Sequence, residues 1–200
     1  MPDYQQTPFS TRDDPAQLLI ARALDHLKDI PEPDVLDLGC GTGTVAIGLA
    51  VRRPDLSAVA LDMSRPNVEA ARRGAAAAGV AARVAAVDAD FTTWSHTPFD
   101  AIVSDAVLHL ISEPDAALAT RLARQLKPGG LLLATMPVES FGNRLRIASR
   151  HLWQFLPRAA DRLAMLVARR LHPDLAAEML EERLVYLRVI PARLFNSRLR

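Results

Sequence analysis

The chain has 200 residues, half of them apolar, which is enough to bury the core of one ordinary domain. Its 24 basic and 23 acidic residues nearly cancel, so the overall charge indicates neither a nucleic-acid partner nor an acidic tail. The single cysteine, Cys40, excludes a disulfide framework, and no apolar run could span a bilayer; we expect a soluble cytoplasmic protein without a metal site.

The first two thirds of the chain alternate predicted helices and strands. Caps and helical spacing predict helices over residues 14–29, 44–53, 64–79 and 112–126, the last with Ser112 as its cap. Short apolar runs predict strands over residues 35–38, 57–61, 83–87, 100–104 and 130–136. Strands buried on both faces and joined by helices form a doubly wound, mostly parallel α/β sheet, whose ligands bind beyond the carboxyl ends of the strands.

The pattern changes after residue 137. Apolar residues recur at helical spacing in segments 145–155, 163–167 and 175–180, and only segment 184–190 could form another strand. Residues 1–137 contain 12 basic and 17 acidic side chains, a net charge of −5, whereas residues 138–200 contain 12 and 6, a net charge of +6. We predict one ligand-binding domain over residues 1–137, with residues 138–200 as its helical extension and lid.

Three glycines follow the first predicted strand, in the segment Val-Leu-Asp-Leu-Gly-Cys-Gly-Thr-Gly from Val35 to Gly43. Glycine lets a ligand approach the backbone closely, and the helix that follows presents unpaired amides. Asp62 ends the second strand 19 residues after Gly43, where a carboxylate can accept hydrogen bonds from both hydroxyls of a ribose. The two features predict a nucleoside-containing ligand; the alternative is a tight turn with Asp62 as a helix cap.

Five segments, taken together, resemble the class I S-adenosylmethionine-dependent methyltransferases over about residues 12 to 137. They are Asp37-Leu-Gly-Cys-Gly-Thr-Gly43, Leu61-Asp-Met-Ser64, Asp88-Ala-Asp-Phe91, Phe99-Asp-Ala-Ile-Val-Ser104 and Leu126-Lys-Pro-Gly-Gly130. The resemblance implies a Rossmann-like methyltransferase fold, S-adenosyl-L-methionine as the cofactor, and an enzyme that transfers a methyl group. In this family an antiparallel pair usually completes the sheet; here the sequence predicts at most one strand after the fifth, so we expect that final hairpin to be incomplete.

The resemblance also implies a cofactor site built from residues that follow the strands: Asp37, Gly39, Gly41, Gly43, Asp62, Met63, Asp90 and Phe91. The first four would hold the methionine part of the cofactor, Asp62 the ribose, and the last three the adenine. Asp88 lies two residues before Asp90, so the register of the adenine contact is open; we assign it to Asp90.

A nicotinamide dinucleotide is the alternative ligand for the glycine turn. Its fingerprint requires a glycine or alanine three positions after the second glycine, and that position is Thr44. The spacing Gly-x-Gly-x-Gly, with an acid two residues earlier, favours the methyltransferase interpretation.

The acceptor is predicted to be a small molecule, methylated on oxygen in preference to nitrogen or carbon. A sulfonium methyl is electrophilic, so catalysis depends on holding the acceptor in line in a dry pocket. For a hydroxyl acceptor, His109 is the candidate base; the alternative is a histidine that lines the pocket or packs against a helix. Ser104-Asp-Ala-Val differs from the Asn/Asp-Pro-Pro-aromatic set of adenine and glutamine methylation, and the chain lacks a second cysteine for cytosine methylation, so we expect no nucleic acid.

Within the family, Trp94, the segment from Ser104 to His109 and the segment from Ala134 to Pro137 resemble the trans-aconitate type, whose acceptors are small carboxylates. Two other functions are open: a cofactor-binding module without turnover, and a lipid methyltransferase whose basic C-terminal helices contact a membrane surface. With the last hairpin expected to be incomplete, the edge of the sheet would be covered by the helices or by a partner chain in a homo-oligomer.

Overall fold

A computed structural model describes residues 13–136, 141–157 and 159–171. Within these ranges, five strands alternate with helices: α1 Asp13–Leu27, β1 Asp34–Leu38, α2 Thr44–Arg52, β2 Ser57–Asp62, α3 Arg65–Ala77, β3 Val84–Asp88, β4 Phe99–Asp105, α4 Asp115–Arg124, β5 Leu126–Thr135, α5 Phe141–Phe155 and α6 Ala159–Leu171. A short 3-10 helix, Leu108–Leu110, follows β4. The predicted stripe at residues 175–180 and the predicted strand at residues 184–190 lie outside the described residues.

The five strands form one parallel sheet in the order β3-β2-β1-β4-β5. The predicted doubly wound α/β fold is confirmed. From β1 the chain adds β2 and then β3 on one side, and it then crosses back to add β4 and β5 on the other side of β1. The strand order therefore switches between β1 and β4. The central strands β1 and β4 are buried along almost their whole length, because helices cover both of their faces.

Small residues allow the helices to lie close together over the sheet. Gly48 lies in the middle of α2, where a β-carbon would stand 2.6 Å from Cδ1 of Ile20 in α1. Ile20 is buried in the core beside Leu49, also of α2. The glycine weakens the helix locally, but it permits the close approach of α1 and α2 that buries this side of the core.

The fourth helix is shorter than predicted at both ends. Ser112 is not its cap: α4 begins at Asp115, and Pro114 occupies the capping position without a side-chain hydrogen bond. A residue that precedes proline is disfavoured in the helical region, so Glu113 could not continue a helix into Pro114. Glu113 instead pairs with Arg121 at 2.8 Å.

The fifth strand begins four residues earlier than predicted, at Leu126 instead of Gly130. The Phe99 amide donates to the Gln125 carbonyl at 2.8 Å, which ends the helix and starts the strand pairing with β4. The pairing is irregular between Phe99 and Ala101, whose partners are Leu126 and Leu131. The intervening segment of β5 bulges, and this arrangement accompanies the 2.8 Å contact between Lys127 Nζ and Asp100 Oδ2.

The described residues divide into two compact units. The first contains residues 13–108 and 113–135, and therefore the whole sheet. The second contains residues 109–112, 136, 141–157 and 159–171. None of the helices in the described ranges is both long and apolar enough to cross a membrane.

The ion pair of Lys127 with buried Asp100, beside the strand bulge, is predicted to stabilise the fold. Asp100 lies near the start of β4, at the edge of the sheet away from the carboxyl ends of the strands. Burial alone would raise the pKa of Asp100, but the contact with Lys127 and the hydrogen bond from the Asp34 amide outweigh it, so the pKa is lowered. We expect Lys127→Met to reduce the free energy of unfolding by about 1–2 kcal/mol, because Asp100 keeps only backbone partners. Urea unfolding would measure this loss.

The matched control is Arg65→Met, which removes an exposed pair with Glu69 on the surface of α3. Exposed pairs contribute little, so this variant should lose less than about 0.5 kcal/mol. Equal losses in the two variants would show that the Lys127 pair is also only a surface contact.

Candidate functional site

The glycine turn joins β1 to α2 and is fixed to the end of β2. The amides of Gly39 and Cys40 both donate to the Leu61 carbonyl, at 2.8 and 3.0 Å. Gly39, Gly41 and Gly43 have φ angles of 73°, 53° and 83°, in the left-handed region that side chains disfavour. The alternating glycines are therefore required by the path of the backbone.

The three glycines differ in what surrounds them. A β-carbon on Gly39 would overlap the side chain of Val107, and one on Gly43 would lie 3.0 Å from Cβ of Ala71 in α3. A β-carbon on Gly41 would meet nothing within 4 Å. Gly39 and Gly43 thus allow close packing of the protein against itself, whereas Gly41 borders open space that a ligand could enter.

Asp37 connects the end of β1 to the start of α2. Its side chain is only 2 % exposed, and its Oδ2 accepts a hydrogen bond of 2.9 Å from the Ala46 amide. Gly43 precedes the helix without a side chain that could cap it, so Asp37 satisfies one of the unpaired amides of the first turn. Burial, together with the smaller effect of the charges of Asp62 and Asp105, raises the pKa of Asp37 to about 7, although the hydrogen bond from Ala46 lowers it.

Asp62 ends β2 with its carboxylate turned toward the glycine turn. Oδ2 accepts from the Gly41 amide at 2.9 Å and from Asn67 Nδ2 at 3.3 Å, and Oδ1 accepts from the Ser64 amide at 2.8 Å. A carboxylate offers about four acceptor positions, so capacity remains on Oδ1. Burial raises the pKa of Asp62 although all three of these hydrogen bonds lower it.

The carboxyl ends of the strands form an acidic edge around the turn. Asp88 ends β3 directly beside Asp62 in the sheet register, and Asp105 ends β4. Asp105 Oδ1 is hydrogen-bonded to the hydroxyl of Thr135, at the end of β5. Among the residues that the structure describes, no cluster of His, Cys, Asp and Glu side chains is suited to a metal ion. The chemistry of this edge favours an organic cation, because a positive charge would relieve the repulsion between the carboxylates.

The residues predicted to contact adenine follow β2 and β3. Met63 is 63 % exposed, and Phe91 is only 4 % exposed. Asp90 is exposed, but its Oδ1 accepts hydrogen bonds of 2.8 Å from the amide and the hydroxyl of Thr92, so Oδ2 is the oxygen that these local bonds leave for a ligand. Asp88 and Asp90 both lie near the acidic edge, and the register of the predicted adenine contact is still open.

Three further side chains are of types that can take part in catalysis: His109, Cys40 and His96. His109 is partly buried in the 3-10 helix and lies in the second compact unit, so its predicted role as a base is still a prediction. Cys40 is buried, and burial followed by the charges of Asp37 and Asp62 raises its thiol pKa; this is unfavourable for a nucleophile. His96 is exposed in its loop, but its ring also contacts those of Trp94 and Phe99, with centroids 5.4 and 4.9 Å away, and the latter two centroids are 6.3 Å apart.

Two contributors to the site were not found from the sequence. Asn67 reaches Asp62 from the first turn of α3; the only signal was an amide side chain five residues after the carboxylate. Val107 covers Gly39, and it comes from a segment 68 residues away along the chain. The sequence carries no local signal for such a contact.

The chain is similar to known methyltransferases along much of its length. Residues 35–130 match the family model described as a methyltransferase domain. A trans-aconitate 2-methyltransferase of Acidovorax ebreus is 34 % identical over 177 residues, which cover 85 % of this chain and 64 % of that protein. A release factor glutamine methyltransferase of Chlorobaculum tepidum is 34 % identical over 124 residues, or 60 % of this chain and 42 % of that protein. The chain therefore spans less than two thirds of either relative.

The solved structures share the fold. A methyltransferase from Geobacter sulfurreducens, in complex with S-adenosyl-L-homocysteine, is 22 % identical, with a TM-score of 0.55 over 86 % of this chain and 82 % of that one. One from Thiobacillus denitrificans, in complex with the same compound, is also 22 % identical, with a TM-score of 0.54 over 84 % and 82 %.

The raised pKa of Asp37 predicts a pH-dependent stability. The folded protein favours the protonated carboxyl, so this contribution to stability is complete below pH 3.8 and is lost as the pH rises through about 7. The Asp37→Asn variant should not lose this stability as the pH rises, because the asparagine amide stays neutral and its oxygen can still accept the hydrogen bond from the Ala46 amide. The variant should gain stability relative to the wild type by up to about 1.4 kcal/mol per pH unit between pH 4 and 7.

Urea unfolding of both proteins at several pH values between 4 and 8 would measure this difference. Asp25→Asn, at an exposed position of α1, is the control for the change of charge. Parallel stability curves for the wild type and Asp37→Asn would contradict the interpretation of Asp37 as a carboxyl that resists ionisation.

Proposed function

Since the chain contains a domain of the class I S-adenosylmethionine-dependent methyltransferase family, we propose that it binds S-adenosyl-L-methionine at the acidic strand ends and methylates a small molecule. One observation carries this proposal: the Asp62 carboxylate is bonded to the amide of Gly41, beside the open space at that glycine. The cofactor, when bound, supplies an electrophilic methyl group on a positively charged sulfur.

The residues of the site fit such a ligand in charge and in shape. The charges of Asp62 and Asp105, which contribute to the raised pKa of Asp37, also favour a cation near this carboxyl. The open acceptor position of Asp62 and its longest hydrogen bond, 3.3 Å from Asn67, leave room for ribose hydroxyls. We assign Gly41 to the closest backbone contact, and Gly39 and Gly43 to the shape of the turn. Exposed Met63 is proposed to lie beside the adenine.

The contacts to the adenine and the cover of the site complete the proposal. Asp90 is proposed to accept from the adenine amino group, and Phe91 to support the adenine edge from the interior. Residues 138–200 are proposed to extend the domain as a lid. We expect the chain to contribute to the reaction by orientation and by exclusion of water, because the methyl donor is already activated.

We propose that the acceptor is a small carboxylic acid, methylated on oxygen. The match to the trans-aconitate relative extends over 85 % of this chain, compared with 60 % for the release factor relative. The segment after β4 reads Ser104-Asp-Ala-Val, which lacks the prolines and the aromatic residue expected for glutamine methylation. A carboxylate is ionised at neutral pH and can attack without a base. His109 is proposed as a base only if the acceptor is a hydroxyl.

The cofactor site can be tested with Asp62→Asn. This change preserves the size of the side chain, but it removes the charge and puts an amide NH2, which can only donate, in place of one carboxylate oxygen. We therefore expect the dissociation constant for S-adenosyl-L-homocysteine to rise roughly 10- to 100-fold. Isothermal titration calorimetry would measure the affinity, and circular dichroism would verify the fold. Asp25→Asn should bind like the wild type; equal affinity in Asp62→Asn would refute the ribose assignment.

The acceptor can be tested by product formation from S-adenosyl-L-methionine with trans-aconitate, related small carboxylic acids, small hydroxyl compounds and a purified release factor. We expect methyl esters of a small acid, and we expect His109→Asn to lower kcat less than tenfold, since no base is needed. A hydroxyl acceptor that relies on His109 would lose about 10²- to 10⁴-fold. Methylation of the release factor alone would replace the small acceptor with a protein, and tight cofactor binding without any product would favour the binding module.

A further inference from the structure

The fifth helix presents an apolar stripe to solvent. Phe141, Leu145, Ala148, Leu152 and Phe155 recur at spacings of four and three, so they share one face of α5, and all five are exposed. The two phenylalanines at the ends of the stripe are each 84 % exposed. Such side chains are normally removed from water, so a continuous exposed stripe over a helix of 15 residues indicates a binding surface.

The sixth helix has an outward face of the same kind. Leu163, Leu166 and Val167 lie on one side of α6 and are between 51 % and 68 % exposed. The opposite side of the helix, around Ala164 and Met165, is partly buried. Three exposed arginines share the outward side: Arg162, Arg169 and Arg170. The apolar residues of α6 therefore emerge among positive charges.

Charge identifies the kind of partner that fits these two faces. The sequence of α5 has three arginines and no acidic residue, and that of α6 has three arginines and one aspartate, so the two helices together carry +5. A second copy of the same surface would be repelled by this charge. Residues 172–200 add no net negative charge, since their sequence has five arginines and four acidic residues.

We propose that the outward faces of α5 and α6 bind the surface of an anionic lipid membrane. Arginines would pair with the headgroups while the phenylalanine and leucine side chains enter the boundary between headgroups and acyl chains, as in helices that lie in the membrane interface. This surface is separate in its residues from the cofactor site, so the proposal does not depend on the methylation reaction.

The test is sedimentation of the full chain with phosphatidylcholine vesicles, with and without phosphatidylglycerol. We expect binding only when the anionic lipid is present, and weaker binding at high salt. Substitution of Arg162, Arg169 and Arg170 by glutamine should weaken binding about fivefold for each charge removed. The double variant Phe141→Ser and Phe155→Ser should also lose binding, whereas Leu18→Ser, at an apolar position of α1 that is 57 % exposed, should not.

The melting temperature and the sedimentation coefficient of the Phe141→Ser, Phe155→Ser double variant report on folding and self-association. Because the two phenylalanines are exposed, their replacement should leave the melting temperature and the sedimentation coefficient unchanged. A lower melting temperature would show that the stripe packs against another part of the chain, and a change from dimer to monomer would show that it packs against a second copy. Either result, or no binding to phosphatidylglycerol vesicles by the wild type, would overturn the proposal.

Discussion

The candidate site depends on one hydrogen bond, from the amide of Gly41 to Oδ2 of Asp62. It joins the turn after β1 to the end of β2, two elements that are already neighbours in the sheet. The bond requires the backbone of Gly41 to face β2, and this orientation requires the left-handed conformation that glycine adopts without strain. Parallel pairing, the choice of glycine and the position of the carboxylate are thus parts of a single arrangement.

The same arrangement concentrates negative charge where the strand order switches. In a parallel sheet all strands end at the same edge, so acids that are far apart in sequence become neighbours. Asp37 shows the effect most strongly, since burial and two nearby acids act on it together. These acids favour a positively charged ligand, because a dianionic pyrophosphate would add to the repulsion between them and a sulfonium would reduce it.

The sequence was sufficient for features that depend on local pattern. Buried strands appear as short apolar runs, and their positions were predicted to within a residue for β1 to β4. It failed where a distant residue decides the outcome: the start of β5 depends on pairing with Phe99, which no pattern near Leu126 reveals. At the site, the spacing located the turn but could not distinguish Gly41 from Gly43, because the difference arises from Ala71 on another helix.

The contact between Gly39 and Val107 makes two distant positions interdependent. The valine occupies the space in which a side chain on residue 39 would have to lie. An alanine at position 39 is therefore disfavoured for two reasons: it would overlap Val107, and it would have to adopt a positive φ angle. Shortening residue 107 would remove only the first of these barriers and leave a void under the turn. In any effort to reshape this loop, the two positions must be redesigned as a pair.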